Sequence, residues 1–365
     1  MGGSGVRMRL ATTASVPPGT VLARDVVVAP TSGPLLRQGV ALTDGMRTAL
    51  LTNGIGRIWV DDELGEGIEP TGILGELLRR DLLAAVAAMH AEARQALTRA
   101  GRLDGRTVDA LGDWAARMAD DVVDRIGRVH DLLDLAPPSH YLVHHAVDSA
   151  ALAMLVAHRH MTTVGWRPGS ASPVRHDAPR SELARVGLGL MLCDVGMQTL
   201  PRAVLEDSSP LDEAGWEQVR RHPVSGAELL GTNTSFVLKG IVRGHHERWD
   251  GSGYPDGAVG DAVQYLARIA AVADAYDAMT AERAHRPAMS PGDAWSAIDA
   301  GSGTAFDPGV VAAFREVVAQ HPPGTEVALP DGRTAVVARV SLDAPARPTV
   351  RVRAGAGIAE LVVDL

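Results

Sequence analysis

Two adjacent histidines begin the segment of this sequence that is densest in side chains able to do chemistry. His245 and His246 precede an acidic, glycine-rich run, and residues 245–255 read H-H-E-R-W-D-G-S-G-Y-P. Neighbouring helical residues point about 100° apart, so the two imidazoles cannot both pack against one apolar partner. Three interpretations are open: the two bind neighbouring metal ions, one binds a metal while the other orients, or both are ordinary polar histidines.

Four further residues of the same chemistry are spread along the chain. Asp194 lies in the apolar run M-L-C-D-V-G, and Asp274 lies in an alanine-rich helical pattern. A carboxylate in such surroundings needs a cationic partner or a metal ion, because a lone buried charge is costly. With His145 and His222 they form a nitrogen and oxygen donor set that suits Fe, Mn or Zn. A carboxylate bridging two metals about 3.5–4 Å apart supports phosphodiester hydrolysis.

The elements that must position these residues follow from the hydrophobic pattern. Helical spacing predicts helices over 43–53, 73–100 and 107–135, and alternation predicts strands over 21–28 and 58–60. The two long helices either pair and pack on the next domain or serve in dimerisation or signalling.

The same pattern divides the chain of 365 residues into four parts. A small α+β module (1–66) is followed by a helical linker pair (67–136). A helical domain (137–321) holds every candidate residue, and a short β-rich segment (322–365) ends the chain. The predicted fold is therefore mainly α, with small β-rich segments at the N- and C-termini.

Composition excludes several classes of protein. Cys193 is the only cysteine, which excludes an internal disulfide, a cysteine-rich zinc module and a cysteine-ligated iron–sulfur cluster. The net charge of −9 argues against a nucleic-acid binder. No apolar run approaches the length of a membrane span, and the N-terminus lacks the apolar core of a signal peptide. We therefore expect a cytoplasmic protein with neither a nucleic-acid partner nor a membrane span.

Residues 137–320 resemble the HD-GYP family of bacterial phosphodiesterases, a branch of the HD superfamily. The motifs that carry the resemblance are H-H-E-R-W-D-G-S-G-Y-P, A-R-I-A-A-V-A-D-A-Y-D-A-M-T and F-D-P-G-V-V. The resemblance implies an all-helical HD-type catalytic domain with a centre of Fe, Mn or a similar divalent metal. It also implies cyclic di-GMP as substrate, hydrolysed to pGpG or onward to GMP.

The resemblance assigns roles to particular residues. The metal ligands it implies are His145, Asp194, His222, His245, His246 and Asp274, with Asp194 bridging and catalytic. Some members have a glutamate that supports a third metal where this chain has Tyr141, so we expect two metals at most. The phosphate-contacting residues would be Arg283 and Arg286. The loop that names the family, associated with substrate selectivity and signalling partners, would be Gly251, Gly253, Tyr254 and Pro255, with Tyr254 able to stack on a base.

The chain departs from the family at two positions of its H-D-x-G-K motif, where it has Cys193 and Met197 instead of histidine and lysine. Cys193 either binds metal as a thiolate or is a small buried hydrophobe. Met197 cannot replace the positive charge, and losing one such contact costs about 2–4 kcal/mol, or about 30- to 1000-fold in rate.

Three functional hypotheses therefore stay open at this point. The first is a metal-dependent phosphodiesterase that hydrolyses cyclic di-GMP with reduced activity. The second is a non-catalytic protein that binds cyclic di-GMP or a signalling partner. The third is a hydrolase of another nucleotide. The sequence predicts no oligomeric state.

Overall fold

A computed structural model shows a mainly helical chain with small antiparallel sheets near both ends, which confirms the predicted fold class. The described residues are 7–27, 33–69, 71–99, 101–127, 140–167, 172–201, 204, 212–283, 286–341, 344–355 and 357–364. The division of the chain at residues 66, 136 and 321 stays a prediction.

The first sheet has three antiparallel strands in the order β1-β3-β2, with bounds β1 Arg9–Thr12, β2 Val21–Leu22 and β3 Arg57–Asp61. Helix α1 (Asp44–Thr52) has as its N-cap Thr43, the first residue of the predicted helix, whose side chain accepts a hydrogen bond from the Met46 amide at 3.2 Å. This cap satisfies one of the amides that a helix start leaves without an intrahelical partner.

The strand predicted over 21–28 is wrong beyond Leu22. Strand β3 pairs in register with Val21 and Leu22, and the Ala23 amide makes a last hydrogen bond to the Trp59 carbonyl at 2.9 Å. The chain then turns, and Val26 forms a single bridge with Leu36. Residue 28 lies outside the described residues. Strand β1 was not predicted, because its four residues acquire their partner only when β3 lies beside them.

The two long helices are α2 (Glu76–Arg99) and α3 (Gly105–Asp124). They contact each other, and they also pack on the helices that follow. The prediction that the second helix continues to residue 135 is wrong at residues 125–127. Arg125 forms the C-cap of α3, and Gly127 has a φ of 87°, a conformation that ends a helix. Residues 128–135 lie outside the described part of the chain.

Helix α4 (Tyr141–Thr163) lies at the centre of the helical region, and most of its side chains from His145 to Met161 are buried. The elements that follow are α5 Arg180–Cys193, the 3-10 helix Asp194–Thr199, α6 Glu213–Arg220, α7 His222–Leu229, α8 Phe236–Gly244, α9 Tyr265–Thr280, α10 Pro291–Ala300 and α11 Pro308–Val317. Helix α4 packs against α5, α9 and α11. Its alanine-rich sequence suits this position, because small side chains let neighbouring helices approach.

The 3-10 helix and α7 approach each other backbone to backbone. A Cβ atom on Gly196 would lie 2.0 Å from the His222 carbonyl oxygen and 2.6 Å from the Gly226 nitrogen. Real side chains do not reach such distances, so only glycine permits this contact. Because Asp194 and His222 begin these two elements, the contact sets their separation.

The second sheet has four antiparallel strands in sequence order, with bounds β4 Glu326–Ala328, β5 Thr334–Ser341, β6 Ala344–Ala354 and β7 Gly357–Val362. The segment before β4 lies against the first sheet, since the Leu10 amide donates to the Gly324 carbonyl at 2.8 Å. A Cβ on Gly324 would lie 2.7 Å from the Trp59 ring. The first sheet therefore contacts the segment that leads into the second sheet.

Among the helices of the described residues, none combines the length and the apolar character that crossing a membrane requires.

Replacing Gly196 tests whether this backbone contact holds the 3-10 helix in place. We expect Gly196→Ala to lower the free energy of unfolding by about 2 kcal/mol or more, because the new methyl group overlaps the α7 backbone. Gly112→Ala in α3 is the matched control, since its Cβ would meet only Leu188 at 3.9 Å. That change should be neutral or stabilise by about 0.5–1 kcal/mol. Urea unfolding measures both, and equal effects would contradict the interpretation.

Candidate metal centre

Three imidazoles lie together where two helix ends meet. His222 is the first residue of α7, and His245 and His246 follow the last residue of α8 directly. One donor atom of each lies within 4.8 Å of the others, and His222 and His245 are buried. Among the described residues, these three histidines form the group of potential metal ligands whose donor atoms all lie close to one another.

The hydrogen bonds of His222 and His245 fix which ring nitrogen carries the proton. The His222 Nδ1 lies 2.7 Å from the Val219 carbonyl, and the His245 Nδ1 lies 2.8 Å from the Val242 carbonyl. A carbonyl only accepts, so both Nδ1 atoms donate and both Nε2 atoms present lone pairs. The two Nε2 atoms lie 3.1 Å apart. Two facing lone pairs repel unless a cation lies near both.

Protonation of His245 or His246 does not fill this role near neutral pH. Burial lowers the pKa of His245 to about 4, and the neighbouring His222 lowers it further while Asp274 opposes the shift. Burial also lowers the pKa of His246, helped by His245. Neutral imidazoles with oriented lone pairs are the form that binds divalent metals. The donor set therefore fits a metal ion.

Asp194 lies between this group and His145. One carboxylate oxygen is 3.3 Å from the His222 Nε2, and the other is 3.8 Å from the His145 Nε2. Its position at the start of the 3-10 helix follows from the backbone contact of Gly196 with α7. The two oxygens of Asp194 thus face two different sets of donors.

His145 on α4 is held by two carboxylates of α9. Its Nε2 lies 2.9 Å from Asp274, and its Nδ1 lies 2.6 Å from Asp277. Asp274 and Asp277 are three residues apart, so both lie on the same face of α9. Burial opposes a charge on His145, but the two hydrogen bonds outweigh it and raise its pKa to about 10.

The same pairing keeps Asp274 ionised. Burial favours the neutral acid, yet the hydrogen bond from His145 and the neighbouring imidazoles hold the pKa of Asp274 well below its ordinary value. Asp274 also lies 3.8 Å from the His246 Nδ1. It therefore connects His145 with the three-imidazole group.

Cys193 and Met197 lie beside Asp194 in the chain but differ in burial. Cys193 ends α5 and is 2% exposed. Burial raises the pKa of its thiol, and the charges of Asp274 and Asp194 raise it further. Any metal bound by this sulfur must displace a proton. Met197 is half-buried and contributes no charge.

Arg283 reaches the centre through Tyr141. Its guanidinium lies 4.1 Å from the Tyr141 ring centroid and also donates to the Tyr141 hydroxyl. The Tyr141 ring stacks on the His145 ring at 4.9 Å and 17°. Arg286 is exposed, and its guanidinium donates to the Ala278 carbonyl at 2.6 Å. Of the two predicted phosphate contacts, Arg283 is therefore the one connected to the centre.

The glycine-rich loop brings Tyr254 to the centre. Its ring lies 4.8 Å from the His246 ring. Gly251 has a φ of 82°, and a Cβ on Gly253 would lie 2.3 Å from the Arg248 nitrogen. Both positions therefore require glycine. Pro255 follows Tyr254 within the same loop.

Three buried residues near the centre were not predicted from the sequence. Asp277 holds His145, and its spacing of three from Asp274 on a helix was the available signal. Glu247 accepts from the Asp256 and Ala258 amides at 2.7 and 3.1 Å and so shapes the glycine-rich loop. His90 on α2 lies in the field of Asp194, and its Nε2 has no hydrogen-bond partner. No local motif marks His90, because α2 lies far from the other residues in sequence.

Comparison with known families agrees with this geometry. A model of the HD domain matches residues 171–310. That range includes Asp194, the three imidazoles and Asp274, whereas His145 lies before it.

Several characterised relatives are cyclic-dinucleotide phosphodiesterases by name. A cyclic di-GMP phosphodiesterase of Pseudomonas aeruginosa is 27% identical over 362 residues, which cover 91% of this chain and 83% of the relative. A cyclic di-GMP phosphodiesterase response regulator of Xanthomonas campestris pv. campestris is 40% identical over 36% of each chain. The 3'3'-cGAMP-specific phosphodiesterase 3 of Vibrio cholerae is 36% identical, over 39% of this chain and 30% of the relative. The last two matches therefore span about a third of those relatives.

His90 should make the stability of the protein depend on pH. Burial lowers its pKa from 6.5 to about 4, with Asp194 opposing and Arg94 adding to the shift. The unfolded chain therefore binds a proton at a pH where the folded chain does not, so stability falls as pH drops from about 6.5 towards 4. Between pH 7.5 and pH 5, the free energy of unfolding of the natural chain should fall by about 2 kcal/mol more than that of His90→Leu.

Urea unfolding at the two pH values measures this effect on metal-free protein. The exposed His176 provides the control variant His176→Leu, which removes a histidine far from any buried cluster. An unchanged pH dependence in His90→Leu would contradict the prediction.

Proposed function

We propose that this chain is a member of the HD-GYP family of the HD superfamily and a metal-dependent phosphodiesterase that hydrolyses cyclic di-GMP. The observation that carries the proposal is the pair of oriented Nε2 lone pairs on His222 and His245, which lie 3.1 Å apart, with the His222 Nε2 3.3 Å from Asp194. Without a cation the two lone pairs repel each other, whereas a metal ion could be bound by both.

We assign two metal positions to the centre. His222, His245, His246 and Asp194 would hold one metal, and His145, Asp194 and Asp274 would hold the other. Asp194 is the proposed bridge because its two oxygens face the two sets. When bound, the metals supply Lewis acidity that polarises phosphate oxygens and lowers the pKa of water. The nitrogen and oxygen donors favour Fe, Mn or Zn.

The chain's own residues bind and orient the substrate in this proposal. Arg283, held by Tyr141 at the edge of the centre, pairs with a phosphate through its planar guanidinium. Arg286 supplies a second positive charge from the surface. Tyr254 stacks on a guanine base, and the positive φ of Gly251 and the close backbone approach at Gly253 fix its position.

We propose that Cys193 and Met197 reduce the rate. Near the His145 set, Cys193 offers a protonated thiol where a histidine would offer an imidazole. Met197 offers no charge for a phosphate. The metal site formed by the three imidazoles keeps its full donor set, which supports a slow enzyme.

A second nucleotide substrate has one observation in its favour. A relative that shares 36% identity over 143 residues is named as specific for 3'3'-cGAMP. A hydrolase of this mixed dinucleotide would use the same metal positions and differ in the base that Tyr254 contacts. A non-catalytic protein that binds cyclic di-GMP or a signalling partner is the remaining alternative. A cytoplasmic location belongs to the same proposal.

Turnover with a filled metal site tests the enzyme directly. The full chain, loaded with Mn or Fe under reducing conditions, should convert cyclic di-GMP to pGpG, followed by chromatography. His222→Ala should lower the metal affinity and the hydrolysis rate, each by about 100-fold or more. His176→Ala should change neither. Absence of turnover with metal bound would exclude the enzyme, and calorimetry would then decide whether the nucleotide binds. Faster turnover of 3'3'-cGAMP would favour the second substrate.

Restoring the family's histidine and lysine at positions 193 and 197 tests how much Cys193 and Met197 lower the rate. We expect the double variant Cys193→His/Met197→Lys to be about 30- to 1000-fold faster than the natural chain, because it regains a ligand and a phosphate contact. Metal content, measured by mass spectrometry, should rise with the first change and not with the second. Equal rates would show that neither residue limits the reaction.

A further inference from the structure

The N-terminal sheet contacts the end of the helix that carries Asp274 and Asp277. Arg57, at the start of β3, donates from Nη2 to the Thr280 carbonyl at 2.7 Å. Thr280 is the last residue of α9, where carbonyl groups lack intrahelical partners and a positive charge is favourable. The guanidinium thus caps α9 from another part of the chain.

The same strand also contacts the residue next to Arg283. The Arg57 Nε lies 4.0 Å from a Glu282 carboxylate oxygen, and these side chains are only 13% and 16% exposed. A Cβ on the preceding Gly56 would lie 2.4 Å from the Glu282 Oε1. The backbone at Gly56 is itself held, because its carbonyl accepts from the Thr13 amide at 2.9 Å. Glu282 therefore lies against a fixed edge of the sheet.

Glu282 in turn shapes the loop that holds the arginines. Its Oε2 accepts from the Ala288 amide at 3.2 Å, which closes the loop over six residues. Within that loop, Arg283 and Arg286 exchange backbone hydrogen bonds at 3.1 and 3.3 Å. Arg283 then reaches Tyr141, whose ring stacks on His145. Contacts thus run without a break from Gly56 and Arg57 to the metal centre.

We propose that Gly56 and Arg57 are positioning residues that set Arg283 for phosphate binding, so that the N-terminal module controls substrate affinity in the helical domain. Arg57 fixes the end of α9, and Glu282, held between Arg57 and the Gly56 backbone, fixes the first residues of the loop. A shift of the module moves Arg283 relative to the centre without touching a metal ligand. This inference rests on the proposed function, since it takes Arg283 as a phosphate contact.

Nucleotide binding and steady-state kinetics on the full chain test this role. Arg57→Ala should weaken cyclic di-GMP binding and raise KM about 10-fold, with kcat and metal content little changed. Arg57→Lys, which keeps a donor for the Thr280 carbonyl, should recover part of the affinity. The matched control is Arg47→Ala in the same module, because Arg47 also donates to a backbone carbonyl, that of Val16, but lies within the module.

A double-mutant cycle separates positioning from general destabilisation. If Arg57 acts through Arg283, Arg57→Ala should have almost no further effect in an Arg283→Ala background. Additive losses would overturn the proposal. Glu282→Gln, which keeps the size of the side chain and removes its charge, should resemble Arg57→Ala in direction.

Amide hydrogen exchange provides a readout that needs no substrate. Arg57→Ala should speed exchange in the segment 279–289, and Arg47→Ala should not. Unchanged exchange in this segment would overturn the positioning role whatever the activity is. If the natural chain neither binds nor hydrolyses cyclic di-GMP while Arg57→Ala still alters this segment, the proposed function fails and the structural coupling remains.

Discussion

The structure depends on how it buries the carboxylates of Asp194 and Asp274 inside an apolar helical core. A buried carboxylate without a partner is strongly unfavourable, so the surrounding helices must bring compensating groups to it. His145 does this for Asp274 at 2.9 Å, and Asp277 holds the other side of the same ring. The packing of α4 against α9 is therefore both an apolar contact and an ionic one.

The three imidazoles present neutral lone pairs rather than negative charges. In His222 and His245 the Nε2 atoms face each other as lone pairs, because the backbone carbonyls of Val219 and Val242 fix Nδ1 as the donor. Around the three imidazoles, anionic carboxylates and neutral lone pairs lie close together, whereas His145 carries a proton between Asp274 and Asp277. A divalent cation would relieve the repulsion between these lone pairs and carboxylates, so we expect metal binding to stabilise the fold.

Glycines make this geometry attainable at two places. Gly196 lets the start of the 3-10 helix meet the backbone of α7, which brings Asp194 within 3.3 Å of His222. Gly56 lets the first sheet approach Glu282, which connects the N-terminal module to the loop of Arg283. In both cases the absent Cβ removes a barrier between elements that are distant in sequence. The separation of functional groups therefore depends on backbone packing as much as on the groups themselves.

The sequence by itself determined the mainly helical fold and the types of donor. Helical periodicity is local, so α1 and most of α2 and α3 could be predicted, and the adjacent His245 and His246 needed no partner to be noticed. Motif resemblance identified His145, His222, Asp194 and Asp274, and these residues do lie together.

Only the tertiary structure decided the rest. Strand β1, the hydrogen bond between Asp277 and His145, and the contact of Arg57 with α9 all depend on neighbours that are far away in sequence. Pairing between distant segments leaves no periodic pattern in either segment, because each supplies only half of the contact. The physical reason is that periodicity reports which face of an element is buried, whereas packing decides against what it is buried.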